Sequence, residues 1–135
     1  MGSPRPLNKK QVLDHITRGA SLADTDMRGQ DLAGVKFDGI ELARAKLAEC
    51  NLSRASFREC DLTAASLWHS DCKDAIFDGA LLDETDMDFA NIDGCTFRSA
   101  KVRKAILPNS RQTLAQVLDS VRTGKKVRMS RRSDD

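Results

Sequence analysis

The stretch Phe37–Phe57 reads FDGIELARAKLAECNLSRASF, and its two terminal phenylalanines are followed by Phe77 and Phe97. Four of the chain's five phenylalanines thus stand twenty residues apart. An α-helix repeats every ~3.6 residues and a strand every two, so neither needs an aromatic at that interval. Written in fives from Ala20, the chain aligns as far as residue 107 without an insertion, from ASLAD, TDMRG and QDLAG to AKVRK and AIL. The third column is apolar in all eighteen rows once Cys72 is counted. With a hydrophobic content of 40%, chance produces such a column about once in ten million trials.

The first column is small (Ala, Cys, Ser, Thr or Val) in sixteen of eighteen rows and is broken only by Gln30 and Ile40. The other columns are mostly polar, and Gly29, Gly34, Gly39, Gly79 and Gly94 all fall in the fifth. That confinement marks a recurring backbone corner, because glycine accepts the positive φ of tight turns. A five-residue unit that buries its first and third side chains holds no core alone and must stack on copies of itself. With four units to a circuit, residues twenty apart lie one above another. Phe37, Phe57, Phe77 and Phe97 then pile up inside one wall. Three further walls follow, headed inside by Leu22, Met27 and Leu32.

The rows CNLSR, CDLTA, TDMDF and ANIDG match the pattern A(D/N)LXX. Over residues 20–107 the chain resembles the pentapeptide repeat proteins. The resemblance implies an all-β solenoid, a right-handed quadrilateral β-helix. Eighteen rows at four to a circuit make about 4.5 coils. Three segments are expected: 1–19 with a capping helix, 20–107 as the β-helix, and 108–135 with a second capping helix and a basic tail. Asn8 is the N-cap of the first helix, with Gln11 completing a capping box, Leu7 stapled to Val12 and Gly19 as the stop. Val12, Leu13 and Ile16 form its apolar side. After Pro108, Asn109 or Ser110 caps the second helix and Gly124 ends it. Its Leu114, Val117, Leu118 and Val121 are spaced to cover a flat end. The tail KKVRMSRRSDD has no apolar periodicity and is expected to be mobile, at least beyond Arg128.

The net charge of +2 is too small to imply nucleic-acid binding, yet it conceals a division. Residues 20–107 hold 11 Lys/Arg against 16 Asp/Glu, residues 1–19 hold 4 against 1, and residues 108–135 hold 7 against 3. No run of eighteen apolar residues suggests a membrane span. The start MGSPRPLNKK lacks the apolar core of a secretory signal, so a cytoplasmic location is expected, with specialised secretion left open. Cys50, Cys60, Cys72 and Cys95 occupy inward columns and are read as reduced core filling. His15, on the first helix, and His69, at a corner, have no metal-ligand spacing. No GxSxG elbow or phosphate-cradling glycine loop is present. Catalysis, metals, cofactors and a small-molecule substrate are therefore not expected.

Trp68 and Phe89 stand in the outward fourth and fifth columns of one wall, one coil apart. Exposed neighbouring aromatics mark contact sites. Leu81 and Ile76, in the outward second column of adjoining walls, extend that patch. Asp83, Glu84, Asp86 and Asp88 surround the same corner, where they attract a basic partner or meet the chain's own basic tail. The partner-binding residues proposed from sequence are thus Trp68, Phe89, Leu81, Asp86 and Asp88. The expected function is a non-enzymatic module or scaffold that binds an unidentified protein, as a monomer or a side-by-side dimer. A weaker resemblance is to segments attached to bacterial secretion-system proteins. The alternative is DNA mimicry, as in pentapeptide repeat proteins that shield DNA gyrase from quinolones or toxins. Against it, the acidic body is short and interrupted by Arg44, Lys46, Arg54, Arg58, Arg98 and Lys101.

Overall fold

In the computed structural model, which describes residues 5–108 and 111–129, the five columns have separate physical tasks. Third-column side chains point inward, and from Leu22 to Phe97 they are fully buried. First-column residues fill the space between them; Ala55, Ala75, Ala80, Cys60 and Cys95 are also fully buried. Ser70 and Thr85, polar members of that column, are satisfied by carbonyls of the coil beneath. The Ser70 hydroxyl donates to Leu47 O at 2.6 Å and the Thr85 hydroxyl to Leu62 O at 2.7 Å. A buried hydroxyl so paired avoids the desolvation cost of an unmade hydrogen bond.

Every fifth-column residue from Asp24 to Lys104 has φ between +57° and +80°. Only five are glycines, and twelve are L-residues with side chains, Phe89 (φ +60°) among them. Left-handed backbone costs an L-residue about 1–2 kcal/mol. From Asp24 to Glu84 the next coil holds it there: the fifth-column amide donates to the fourth-column carbonyl of that coil, as from Glu49 N to Trp68 O at 2.8 Å.

Second-column residues pair in parallel with those twenty positions on, in bridges that form four ladders. Asp26, Lys46, Ser66, Asp86 and Ile106 make one; Asp31, Asn51, Asp71 and Asn91 the next; Lys36, Ser56, Ile76 and Thr96 the third; Glu41, Asp61, Leu81 and Lys101 the fourth. The bridges are isolated, and no longer strand forms among the described residues. A turn in each group of five leaves too little extended backbone for one.

The preference for Asp or Asn in the second column has a local cause. In the seven rows that have one, its Oδ1 accepts the amide of the residue two positions on, at 2.9–3.2 Å. This Asx turn closes the corner. Where the second column holds Ser56, Thr96 or Lys101, the amides of Arg58, Arg98 and Arg103 are instead served by Asp38, Asp78 and Asp83, one coil below, at 3.0–3.2 Å.

Helix α1 (Lys9–Thr17) starts with a reciprocal capping box between Asn8 and Gln11. It ends in a Schellman arrangement, with Ala20 N donating to His15 O and Gly19 N to Ile16 O. Leu7 N donates to Asp26 O at 2.7 Å, which ties this segment to the first coil. Val12 is fully buried and Ile16 partly so, but Leu13 is 41% exposed. Only the i, i+4 pair reaches the core; Leu13 lies ~100° away around the helix.

Helix α2 (Arg111–Thr123) packs with a different face from the one its leucines suggest. Thr113, Val117 and Ser120 are buried, whereas Leu114 and Leu118 are 46% and 49% exposed. What α2 meets is a row of unpaired backbone donors, which calls for close approach and acceptors. Ser120 Oγ accepts from Phe97 N and Val121 O from Ser99 N, both at 2.9 Å, while Arg98 donates to Thr123 O. The free carbonyls at the helix end and the free amides of the coil satisfy each other. The residues expected to cap α2, Asn109 and Ser110, lie outside the described set, as does the tail from Ser130.

The first part of the tail is ordered. Val127 is 1% exposed and exchanges two hydrogen bonds with the last coil, through Gly94 N at 2.7 Å and Cys95 O at 2.8 Å. Met129 N donates to Asp93 Oδ1 at 3.0 Å. One valine in a polar run carries no periodic signal, but a coil edge accepts any backbone in register.

Candidate interaction face

The ladder Asp26–Lys46–Ser66–Asp86–Ile106 defines the wall whose inner residues begin with Met27. Its outward side changes character along its length. The lower coils carry Arg28, which pairs with Asp26 at 2.8 Å, together with Lys46 and Glu49. The upper coils carry Ser66, Trp68, His69, Asp86, Asp88, Phe89 and Ile106. Trp68 is 38% exposed, Ile106 51% and Phe89 64%.

Three rings form a cluster here. His69 stacks on Phe89 with centroids 4.9 Å apart and planes 23° apart. Trp68 stands edge-on to His69 at 4.1 Å, and to Phe89 at 6.4 Å and 84°. The fold dictates the His69–Phe89 contact, since both are fifth-column residues one coil apart. Left-handed backbone at each (φ +57° and +60°) turns the side chain out of the corner. The described part of the C-terminal segment pairs with Gly94 and Cys95, beyond the wall that carries the cluster.

Asp86 and Asp88 are half-buried in the rows around the rings. Asp86 Oδ1 accepts the Asp88 amide at 2.9 Å. Among the described residues neither carboxylate has an ion-pair partner. Their neighbours in register are Ser66 and Ile106 for Asp86, and Trp68 and Pro108 for Asp88, none of them cationic. Two carboxylates of the lower coils, Asp24 and Asp26, are paired with Arg44 and Arg28. The guanidinium hydrogen bond from Arg44, at 2.7 Å, holds the Asp24 carboxyl below its ordinary range, and Arg28 does the same for Asp26.

Leu81 is 36% exposed on the neighbouring wall, bridged between Asp61 and Lys101. Ile76 is placed elsewhere: its ladder runs from Ser56 to Thr96, two walls from Trp68 and so on the opposite side. Asp83 and Glu84 lie beneath Arg103 and Lys104 in register, and Asp83 accepts the Arg103 amide. His69 and Ile106 belong to the face although sequence reasoning passed over them. Both were readable, His69 from its fifth-column place below Phe89 and Ile106 from its second-column place above Asp86.

No group of three potential metal ligands gathers among the described residues. Burial pushes the thiols of Cys50 and Cys60 up to about 11 and about 12, and raises Cys72 and Cys95 further. Such thiols stay protonated and unreactive. In two surface cavities, beside α1 at His15 and Asp14 and at the first coil near Ser21 and Glu41, no hydrogen bond among the described residues joins a nucleophile to a base; the Ser21 hydroxyl oxygen accepts the Ala23 amide. No helix among the described residues is long and apolar enough to cross a membrane.

No curated protein matches the sequence. Solved structures do. A pentapeptide repeat protein from the Arabidopsis thaliana thylakoid lumen is 30% identical over 62% of this chain and 57% of its own length, with a TM-score of 0.60. A pentapeptide repeat protein from Nostoc PCC 7120 is 28% identical over 83% of this chain and 95% of its own, with a TM-score of 0.67. One from the cyanobacterium Cyanothece 51142 is 17% identical, covering 79% and 67%, with a TM-score of 0.63. The chain thus spans little more than half of the Arabidopsis protein. The family model for pentapeptide repeats matches in eight copies, over residues 40–71, 60–98 and 70–108. With over half of its residues in that match, and with neighbours whose fold implies a right-handed quadrilateral β-helix, this chain belongs to the pentapeptide repeat family.

Proposed function

We propose that the protein is a non-enzymatic protein-interaction module, a rigid rod that presents the upper part of the Met27 wall to a partner. In this reading residues 20–107 form about 4.5 coils and the two helices close the ends. Side-by-side contact is then the accessible mode of association. The carrying observation is the exposure of Trp68, Phe89 and Ile106 on one wall over three successive coils. Leu81 borders them, and Asp86 and Asp88 supply the polar part. An apolar centre with charged margins is the usual anatomy of a protein contact. The family is generally non-enzymatic, in keeping with this assignment.

The test is capture of a cross-linked partner by the tagged full chain, compared with Trp68→Ala and Phe89→Ala. Both variants should keep the circular dichroism of the parent and lose the captured species. Retention of every captured species by both variants would remove the face from consideration. The same variants in sedimentation equilibrium identify a second copy as the partner, if a dimer present in the parent dissociates. DNA mimicry at gyrase is separated by a supercoiling assay, in which this reading expects neither inhibition of gyrase nor protection from quinolones.

A further inference from the structure

From the chemistry of this face we infer that its partner is an arginine-bearing extended segment of another protein, with the guanidinium over Phe89 and Trp68 and against Asp86 and Asp88. The inference rests on the interaction reading and adds the chemistry of the occupant.

Phe89 supplies the first element. His69 stacks on the ring, yet 64% of the residue remains in water. It is also the only large apolar residue among the seventeen fifth-column positions, which otherwise carry glycine, alanine, serine, histidine or a charge. A ring whose π-face is open attracts a cation within ~6 Å of its centroid, and tryptophan does so most strongly. The second element is charge. Asp86 and Asp88 flank the rings, lie half-buried and have no cation in register, unlike Asp24, Asp26 and the Asp83–Glu84 pair. Arg103 and Lys104 at the top of the adjacent wall complement Asp83 and Glu84 in register, Lys101 stands above Leu81, and Lys46 lies two coils below Asp86. A carboxylate with no ion-pair partner among the described residues, beside exposed aromatics, favours an incoming cation over a neutral apolar side chain.

Arginine fits better than lysine. Its guanidinium is weakly hydrated, stacks flat on a ring, and offers a fork that a carboxylate receives with two hydrogen bonds. The shape of the face selects an extended segment. Phe89 and Ile106 sit on successive coils, ~5 Å apart in height. A strand places alternate side chains ~7 Å apart on one side. Phe89 and Ile106 are also three columns apart along the wall, up to ~10 Å at ~3.3 Å per residue. An apolar residue over Ile106 thus leaves a distance to Phe89 that the long side chain of an arginine two positions away can span.

Trp68 is the only tryptophan of the chain, so its emission reports on this face alone. The probe is a capped pentapeptide carrying arginine at its second position and isoleucine at its fourth in a glycine background. A second peptide replaces arginine by its neutral isostere citrulline. With the full-length protein, the arginine peptide should shift Trp68 emission saturably at up to about 10 mM, the range of a weak single contact. The citrulline peptide should bind at least about fivefold more weakly. Asp86→Asn with Asp88→Asn should remove that preference. The amide side chain that replaces the Asp86 carboxylate keeps an oxygen for the backbone N–H two residues on, so the turn persists, and circular dichroism confirms it. Equal binding of the two peptides, a preference unchanged in the double variant, or no saturable response to arginine would each overturn the inference. None of these results removes the contact face itself, which stands or falls with partner capture in the Trp68→Ala and Phe89→Ala variants.

Discussion

This protein carries two aromatic clusters built on the same one-coil spacing, one inside the rod and one outside. Within it, Phe37, Phe57, Phe77 and Phe97 are fully buried, with centroids 4.9, 5.1 and 5.2 Å apart and planes within 7°. Outside, His69 and Phe89 are also 4.9 Å apart, yet the cluster includes interplanar angles of 23° to 84° and leaves Phe89 64% exposed. The backbone repeat sets the distance in both cases. Only the column differs. In the third column four walls press the rings flat, and packing decides the residue. In the fifth, His69 covers one side of the Phe89 ring and most of the residue stays in water, so its presence points to contact with another molecule.

The contrast predicts unequal responses to deletion. Phe57→Ala removes a ring held between two others, and a loss of about 3–5 kcal/mol is expected. Phe89→Ala should stay within about 0.5 kcal/mol of the parent. Urea midpoints of the two variants check this, and similar losses would break the distinction between the clusters. Corners give the next largest effect. At Gly94 (φ +80°) a methyl group meets the Asp74 carboxylate, whereas at Gly29 (φ +74°) it meets open space. Gly29→Ala should cost about 1–2 kcal/mol from the left-handed backbone. Gly94→Ala should cost more, and equal thermal shifts would show that the carboxylate simply swings away.

The turns sharpen the comparison further, because they separate architecture from surface. Asp38 serves both the Ser56 hydroxyl and the Arg58 amide, while Asp31 serves only the Ala33 amide. At about 0.5–1.5 kcal/mol per hydrogen bond, Asp38→Ala should destabilise roughly twice as much as Asp31→Ala in paired urea titrations.

The smallest effect at neutral pH concerns the thiols. Burial raises Cys50 to about 11 and Cys60 to about 12 from an ordinary value of 9.0. The unfolded chain therefore releases these protons first as pH rises. The stabilisation is complete below pH 9.0 and is lost towards pH 12. Urea midpoints measured across that range should decline less steeply in Cys60→Ala than in the parent.

What the sequence made legible follows the same division between inside and outside. Third-column side chains such as Leu42, Leu62 and Phe77 could be assigned inward by counting in fives, because burial leaves a compositional trace at each turn of the repeat. The fifth column was legible at its five glycines and hidden at the other twelve residues. There φ is positive with an ordinary side chain, because hydrogen bonds from neighbouring coils override local preference. The face of α2 was hidden for a related reason. Hydrophobic spacing singles out Leu114 and Leu118, but the coil end offers amides, so Ser120 turns inward. Val127 shows the limit most plainly, since one apolar residue among lysines and arginines becomes an added rung through its backbone. On the outer surface Trp68 and Phe89 were visible as departures from pattern. The cluster also required His69 and Ile106, whose residue types are unremarkable at the surface and acquire meaning only from the twenty-residue register.

The corner amides served from the storey below have an evolutionary corollary. Since Asp38 does for Arg58 what a second-column aspartate does within its own row, a mutation that erases one turn-closing acceptor is tolerable when a compensating carboxylate already stands twenty positions earlier. Tolerance at any site is thus inherited from the floor beneath it. Descendants of such a chain should drift in vertically matched pairs, and the linear neighbours of a changed residue should record little of the constraint.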